Sequence, residues 1–584
     1  MAAERTVTAI ARLALVWSLA YLVWRVAFTL PGADATAASL LLGAEILSVI
    51  VFAAMIRSTA ATPIDVIASP DAPLPDTAAV VDATGSSVDE LRTTLLALRR
   101  VVGVDHIVVV DGDGSRWLAT IAERLGATVV DRSLTFDDAI RGVATSWVLV
   151  LRSGDLPMPD LVSVCAPRCS APEVAVIQVG VEEADPTSFG HDPDAYWSLE
   201  PFVQHVVRPS LAARGSIPWY GDGPALVRRA ALASTRRPGL ESMSDDSRRV
   251  GLELIARGST VTHLPVTLAR VRGPHGLGES LVRRHERTRS ALRSLRSPDL
   301  GQVDRTARVA HLLALTPLLG ALQRLLLTAT AIVVLGLSRT PMVGSLVGLA
   351  VLAVPAYLLR WTAHLLLGRG RLGPLSILRS DLRSLGIDLA PFGRVREDAG
   401  RAGLLVLAVV VGALVSVVVL ATFSMWDGGD GRLPVSVAAV AFVVTAGFVG
   451  VGTEVLVDAV ARRQRRVDHR VRLGLVTCRI EEHDGQLVDL SIGGAGVVVA
   501  APIDETFEIG VVTTLSFRIP DAAGAWRSVS TLVHVAHRSE DPDGGTRLGL
   551  SFDDPMDAPL DPVVEFLTID RRLVALGRHE TMTR

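Results

Sequence analysis

Residues 461–499 read ARRQRRVDHRVRLGLVTCRIEEHDGQLVDLSIGGAGVVV. The stretch leaves a long apolar run, crosses a cluster of arginines and then alternates short apolar segments with Gly, Asp and His turns. Arg462, Arg463 and Arg465 are explained by anchoring alone, because basic residues hold the cytoplasmic end of a membrane span. Arg466 and Arg470 form an RxxxR spacing with Arg465 just before it, directly ahead of the strand-like segment LVTCRI. The cluster is therefore either an anchor or one half of an anion site, and the text on either side bears on which.

Composition places that text in a membrane protein. Of 584 residues, 49% are hydrophobic and 4% aromatic, with a mean hydropathy of +0.40, too apolar for a soluble enzyme. A net charge of -3 gives no global basic field, which argues against a nucleic-acid polymer as partner. Every lysine-or-arginine position is Arg. That follows simply from codon bias, although Arg suits phosphate sites. Cys165, Cys169 and Cys478 are too few for a disulfide framework and lack CxxC spacing, so they read as buried thiols on the reducing side of the membrane.

Six apolar runs are each about long enough to cross a roughly 30 Å hydrocarbon core: 7–30, 37–56, 318–337, 341–359, 402–424 and 434–458. The first is long and lacks a small-residue cleavage pattern, so it reads as a span and not a cleaved signal. The loop PGADATA has no basic residue, whereas 360–401 is studded with arginines, including Arg369, Arg371, Arg379 and Arg383. The positive-inside rule then puts both termini, the 57–317 segment and the C-terminal segment in the cytoplasm. GPLSILRSDLRSLGIDL carries apolar residues at helical spacing beside arginines and predicts an interfacial helix.

Between the two groups of spans, TAAVVDA, HIVVVDGDG, ATVVDR, SWVLVLRSGD and VAVIQVG alternate with the helical SVDELRTTLLALRRV and SRWLATIAERLG. That alternation predicts a mostly parallel sheet with helices on its faces. Ligands of such sheets bind beyond the carboxyl ends of the strands, where VVVDGDG places Asp111 and Asp113. The pair is either a polar turn or a holder for a nucleotide base or a metal-bridged diphosphate. After residue 470, LVTCRI, GVVVA, TTLSFRI, STLVHVAHR and RLGLSF are separated by Gly, Asp and Pro turns and followed by the helical LDPVVEFLTIDRRLVAL. This predicts a small β-barrel with a terminal helix.

The order of parts resembles the catalytic subunit of bacterial cellulose synthase, a family 2 glycosyltransferase. WSLAYLVWRVAFTL and LLGAEILSV look like its first two spans, GSIPWYGDGPALVRRAAL is similar to its acceptor segment, and SMSDDSRRVGLELIARGSTVTHLPV looks like the segment bearing its catalytic aspartate. The resemblance implies inverting transfer of a sugar from a nucleotide sugar to a growing polysaccharide. It further implies Asp111 and Asp113 at the nucleotide, Asp245 or Asp246 as base, Mg or Mn at the diphosphate, and partner subunits in the membrane or envelope. Three family motifs depart from the pattern. Arg152 and Gly154 of LVLRSGDLP stand where the metal-binding DxD carboxylates belong. RRHERT keeps Arg287 but has Thr288 for the tryptophan of QxxRW, and the gating loop reduces to FGRVRE.

Asp489, Ser491 and Gly494 of DLSIGG fit [D/N]xSxxG downstream of RxxxR, and the two motifs together look like the PilZ domain, the bacterial receptor for cyclic di-GMP. The resemblance implies a cyclic di-GMP site made of Arg465, Arg466, Arg470, Asp489, Ser491 and Gly494. The ligand's chemistry agrees, because a guanidinium pairs bidentately with phosphate or with guanine O6 and N7.

The expected organisation is a multi-domain, multi-pass protein of the bacterial cytoplasmic membrane. Two transmembrane helices occupy 1–57, a cytoplasmic glycosyltransferase-like α/β domain 58–305, four transmembrane helices with an interfacial helix 306–460, and a PilZ β-barrel with its C-terminal helix 461–584. Two functions fit: sugar polymerisation under cyclic di-GMP control, or a non-catalytic cyclic di-GMP receptor with a degenerate glycosyltransferase domain that signals to a partner.

Overall fold

The computed structural model describes most of residues 2–568, leaving aside 60–71, 184–201, 236–246, 272–276, 383–398, 427–434, 462–470, 500–506, 569–584 and shorter breaks such as Asp113 and Ile492. An eight-stranded sheet forms the centre of the α/β domain, in the order β3-β2-β1-β4-β7-β6-β8-β5. Strands β1 (Thr77–Asp82) and β4 (Trp147–Arg152) are nearly continuous apolar runs because both their faces are covered. Side chains alternate across the sheet. Ala79, Val81, Leu149 and Leu151 pack on one side with Leu91, Leu95 and Leu118, while Val80, Val148 and Val150 pack on the other with Phe136, Ile140 and Trp219.

Strands β1, β2 (Val104–Val110), β3 (Thr128–Val130) and β4 pair in parallel. The remainder of the sheet is mixed. Strand β7 (Ala225–Arg228) runs antiparallel between β4 and β6 (Val174–Glu183), and the short β5 (Leu156–Pro157) runs antiparallel to β8 (Thr260–Val271). The expectation of a mostly parallel sheet therefore holds for the first half of the domain and gives way in the second. Helix starts follow local chemistry: Ser87 and Glu90 close a capping box on the helix Val88–Leu98, and Ser115 caps the helix Arg116–Arg124.

Among the described residues, four helical segments are long and apolar enough to cross a membrane, Thr6–Thr29, Ala35–Thr59, Thr316–Gly336 and Ala350–Leu367. The two remaining apolar runs form the helices Ala399–Trp426 and Val435–Ala461, which pack on each other. A buried polar knot ties three of these elements together. Arg25 Nε donates to Glu45 at 3.1 Å, Tyr21 and Tyr357 direct their hydroxyls at the same carboxylate, and Arg360 donates to Ser48. From the segment following the fourth apolar helix, Arg379 pairs with Glu454 at 2.7 Å.

The C-terminal barrel is closed and antiparallel, in the order β10-β11-β14-β13-β12-β9, with β12 at Val512–Pro520 and β13 at Trp526–Glu540. Its interior holds Leu515, Phe517, Val533, Val535 and Leu550, and the helix Asp561–Thr568 closes it with Val563, Phe566 and Leu567. The same helix packs against Val88–Leu98 of the α/β domain, whose Leu96 reaches the barrel core.

Candidate functional site

Along the sheet order the chain moves outward from β1 to β2 and β3, then returns to lay β4 on the other side of β1. Such a reversal opens a crevice at the carboxyl ends of the two strands flanking it. Asp82 ends β1 and is paired in register with Arg152 at the end of β4. Asp111 follows β2 directly, buried, and its Oδ2 accepts from the Ser115 backbone N–H at the start of a helix. That bond is also the one a turn or cap needs, so the geometry serves both readings of Asp111. Asp113, Asp245 and Asp246 lie outside the described residues.

Where the resemblance expects metal ligands, Arg152 extends Nη2 to the Gly221 carbonyl oxygen at 2.8 Å, bridging β4 to the segment before β7. Its backbone N–H donates to Asp155 Oδ2 at 2.9 Å, which binds that remaining carboxylate into the turn. Gly154 takes the left-handed conformation that the turn requires, with φ of 93°. Among the described residues no three His, Cys, Asp or Glu side chains gather as a metal site. On the helix Leu277–Ser294, Thr288 is buried and its hydroxyl donates to the Arg284 carbonyl.

At the barrel, β10 (His483–Leu490) lies between β9 (Val471–Ile480) and β11 (Gly494–Val499). A bulge between Leu487 and Asp489 resets the register on both sides, as bulges do where a side chain must be re-aimed. Asp489 then sits opposite Gly496 on one neighbour and Arg472 on the other. A Cβ at Gly496 would meet the Asp489 carboxylate at 2.7–2.8 Å, so only glycine leaves that carboxylate in place. Ser491 is fully buried, and its hydroxyl and backbone N–H both donate to the Gly494 carbonyl, at 3.0 and 2.8 Å. Gly494 in turn lies so close to the Leu550 carbonyl that no side chain fits.

The family model of the PilZ domain matches residues 461–567. The C-terminal barrel is a PilZ domain. Among solved structures, the chain is similar to the mannosyltransferase PcManGT from Pyrobaculum calidifontis in complex with GDP-mannose and Mn²⁺, at 15% identity over 59% of this chain and 99% of that one, with a TM-score of 0.40. It is also similar to glucosyl-3-phosphoglycerate synthase from Mycobacterium tuberculosis, at 13% identity over 38% and 80% of the two chains and a TM-score of 0.27. A third likeness is to the inhibitor of motility MotI/DgrA of Bacillus subtilis, at 23% identity over 19% and 52%, with a TM-score of 0.17. Likenesses at these scores carry no argument about chemistry. No curated protein sequence matches the chain.

In the PilZ domain the structure thus joins Asp489, Ser491 and Gly494 at one end of β10, while Arg465, Arg466 and Arg470 lie outside the described residues. It also adds a residue that no motif announced. Arg547 on β14 (Thr546–Phe552) brings Nη2 to 3.8 Å from Asp489 Oδ2. Its guanidinium is 41% exposed, so the pair contributes little to stability and leaves the cation open to solvent.

Proposed function

We propose that the chain is a membrane-embedded receptor for cyclic di-GMP whose α/β domain responds to the ligand. The observation that carries this reading is the pairing of Val471 with Leu490 at the start of β9. Arg470 is one peptide away from that pairing, about 3.8 Å between Cα atoms. RxxxR lies in sequence directly ahead of β9, whose first residue pairs with Leu490, between Asp489 and Ser491. Cyclic di-GMP presents two phosphates and two guanines. Arg465, Arg466 and Arg470 suit its phosphates and the O6 and N7 edge of guanine, and Asp489 suits guanine N–H groups. Ser491 acts mainly by shaping the turn, and Gly494 and Gly496 keep side chains out of the approach.

Charge bias supports a bacterial cytoplasmic membrane location with both termini in the cytoplasm, the helices Ala399–Trp426 and Val435–Ala461 completing six spans. The layout shared with cellulose synthase supports an α/β domain that binds a nucleotide sugar and, when active with Mg or Mn, adds sugar to a polysaccharide with the help of membrane or envelope subunits. Arg152 in place of a metal-binding carboxylate favours a second reading, a non-catalytic receptor that passes the signal to a partner.

Calorimetric titration of the full-length protein in detergent tests the first claim. Binding at about micromolar Kd, lost in Arg466→Ala and in Arg470→Ala, is expected; unchanged binding in both variants would sink the assigned site. Release of nucleoside diphosphate from UDP-sugars with cyclic di-GMP and Mg²⁺ or Mn²⁺ separates the two readings of the α/β domain.

A further inference from the structure

The crevice at the ends of β1 and β4 is built differently from a site that holds a divalent cation. A bridging Mg²⁺ or Mn²⁺ needs convergent oxygen ligands, usually carboxylates with lone pairs to spare. Three carboxylates lie along these strand ends, and each is buried and accepts a backbone N–H of its own turn: Asp82 from Thr84, Asp111 from Ser115, and Asp155 from Arg152. They shape the loops, and among the described residues they do not combine with other ligand types into a metal site. Among the described residues the donor set does not fit the cation.

It does fit an anion. Arg152 stands at the end of β4, in register with Asp82 across the strand reversal. Its Nη2 donates to the Gly221 carbonyl at 2.8 Å, which tethers the guanidinium and uses one of its five N–H donors. One residue further round the same turn, the Ser153 hydroxyl is buried with no hydrogen-bond partner among the described residues. Arginine is the side chain whose planar fork matches phosphate oxygens, and its charge does not depend on pH in the working range.

We propose that this crevice binds the diphosphate of a nucleotide on the Arg152 guanidinium, assisted by the Ser153 hydroxyl, with no bridging divalent cation. The proposal rests on the reading of the α/β domain as a nucleotide site. It is indifferent to whether sugar transfer follows. The cation's two services, neutralising the diphosphate and fixing its position, fall to a side chain already tethered at Gly221.

Binding of UDP and of GDP to the full-length protein in detergent, measured by calorimetry in EDTA and again with Mn²⁺, tests it. Kd within about twofold in the two buffers is expected, together with a loss of at least about tenfold in Arg152→Gln, which keeps a polar side chain but drops the charge and the fork. An unchanged melting temperature of that variant reports an intact fold, and Arg152→Lys, which keeps charge without the fork, is expected to recover only part of the loss. Binding that requires Mn²⁺, or binding untouched by Arg152→Gln, overturns the proposal while leaving the nucleotide reading standing. Absence of binding by either diphosphate in both buffers, with cyclic di-GMP still bound, removes the nucleotide reading and this proposal with it.

Discussion

Arg270 on β8 of the α/β sheet donates from Nη1 to the carbonyl oxygen of Leu567, at 2.6 Å, in the helix that closes the PilZ barrel. Arg270 is buried, and its strand is paired in register with Leu156 on one side and Glu182 on the other. The last carbonyls of a helix have no partner within the helix, so a cation there is a favourable end cap. The bond joins the ligand-binding domain to the sheet whose other strand ends form the crevice. Removing it in Arg270→Ala leaves a buried carbonyl without this donor, at a cost of about 1–3 kcal/mol. Faster amide hydrogen exchange across 561–568 is expected, with cyclic di-GMP affinity unchanged. Exchange identical to the parent protein would mean that the helix is held by apolar packing alone.

Gly496→Ala tests the assignment of Asp489. The added methyl group meets the Asp489 carboxylate at 2.7–2.8 Å and must displace it. The barrel core, built of Leu515, Val533 and Leu550 among others, is not touched by this change. Cyclic di-GMP affinity is expected to fall at least about tenfold, a loss of roughly 1.4 kcal/mol, with a small change in melting temperature. Calorimetry on Gly496→Ala and Asp489→Asn side by side gives the answer. Parent-like affinity in both would remove Asp489 from the site.

Much of this architecture is legible in the chain text, for identifiable reasons. Strands β1 and β4 are buried on both faces and so read as unbroken apolar runs, and the barrel strands are bounded by Gly, Asp and Pro. By contrast, β7 has four residues, Ala225–Arg228, too few to display a period, so the chain text does not announce the mixed half of the sheet. Long-range polar contacts are equally hidden. Arg152 and Gly221 are 69 positions apart, and nothing local to either announces the bond. Arg547 lies on a strand whose text carries no ligand motif, and only the strand order brings it to Asp489. DxSxxG was legible because its chemistry is local: Ser491 and Gly494 close a turn on each other.

The polar knot between the long apolar helices is expected to be structural. Arg25 and Glu45 are both buried, and Tyr21 donates to the same carboxylate. Away from water, removing one partner of an ion pair leaves the other charge uncompensated. Glu45→Ala leaves Arg25 without its counter-charge, and the loss is about 3–5 kcal/mol. Thermal unfolding in detergent is expected to show a clearly lower midpoint for Glu45→Ala, a smaller drop for Glu45→Gln, and recovery when Arg25→Leu is added to Glu45→Leu. Equal midpoints in all four proteins would show that the pair is not holding the helices together.

Acid sensitivity should trace in part to His311. This side chain is fully buried on the helix Arg305–Leu313, and its Nε2 lies 3.1 Å from Ser294 Oγ and 3.2 Å from the Ala291 carbonyl. The carbonyl can only accept, so the neutral ring carries its proton on Nε2. Burial, with the Arg248 charge adding to it, pushes the imidazole pKa down to about 4 from its ordinary value of 6.5. The unfolded chain therefore takes up a proton at a pH where the folded one does not. Stability from this group is complete above about pH 6.5 and is lost as pH falls towards about 4, on the order of 3 kcal/mol in all. Melting temperatures recorded between pH 7.5 and pH 4.5 are expected to fall less steeply in His311→Gln, which keeps an N–H for Ala291 without an acid-labile ring. Parallel curves for the two proteins would show that His311 takes up its proton alike in the folded and unfolded chains.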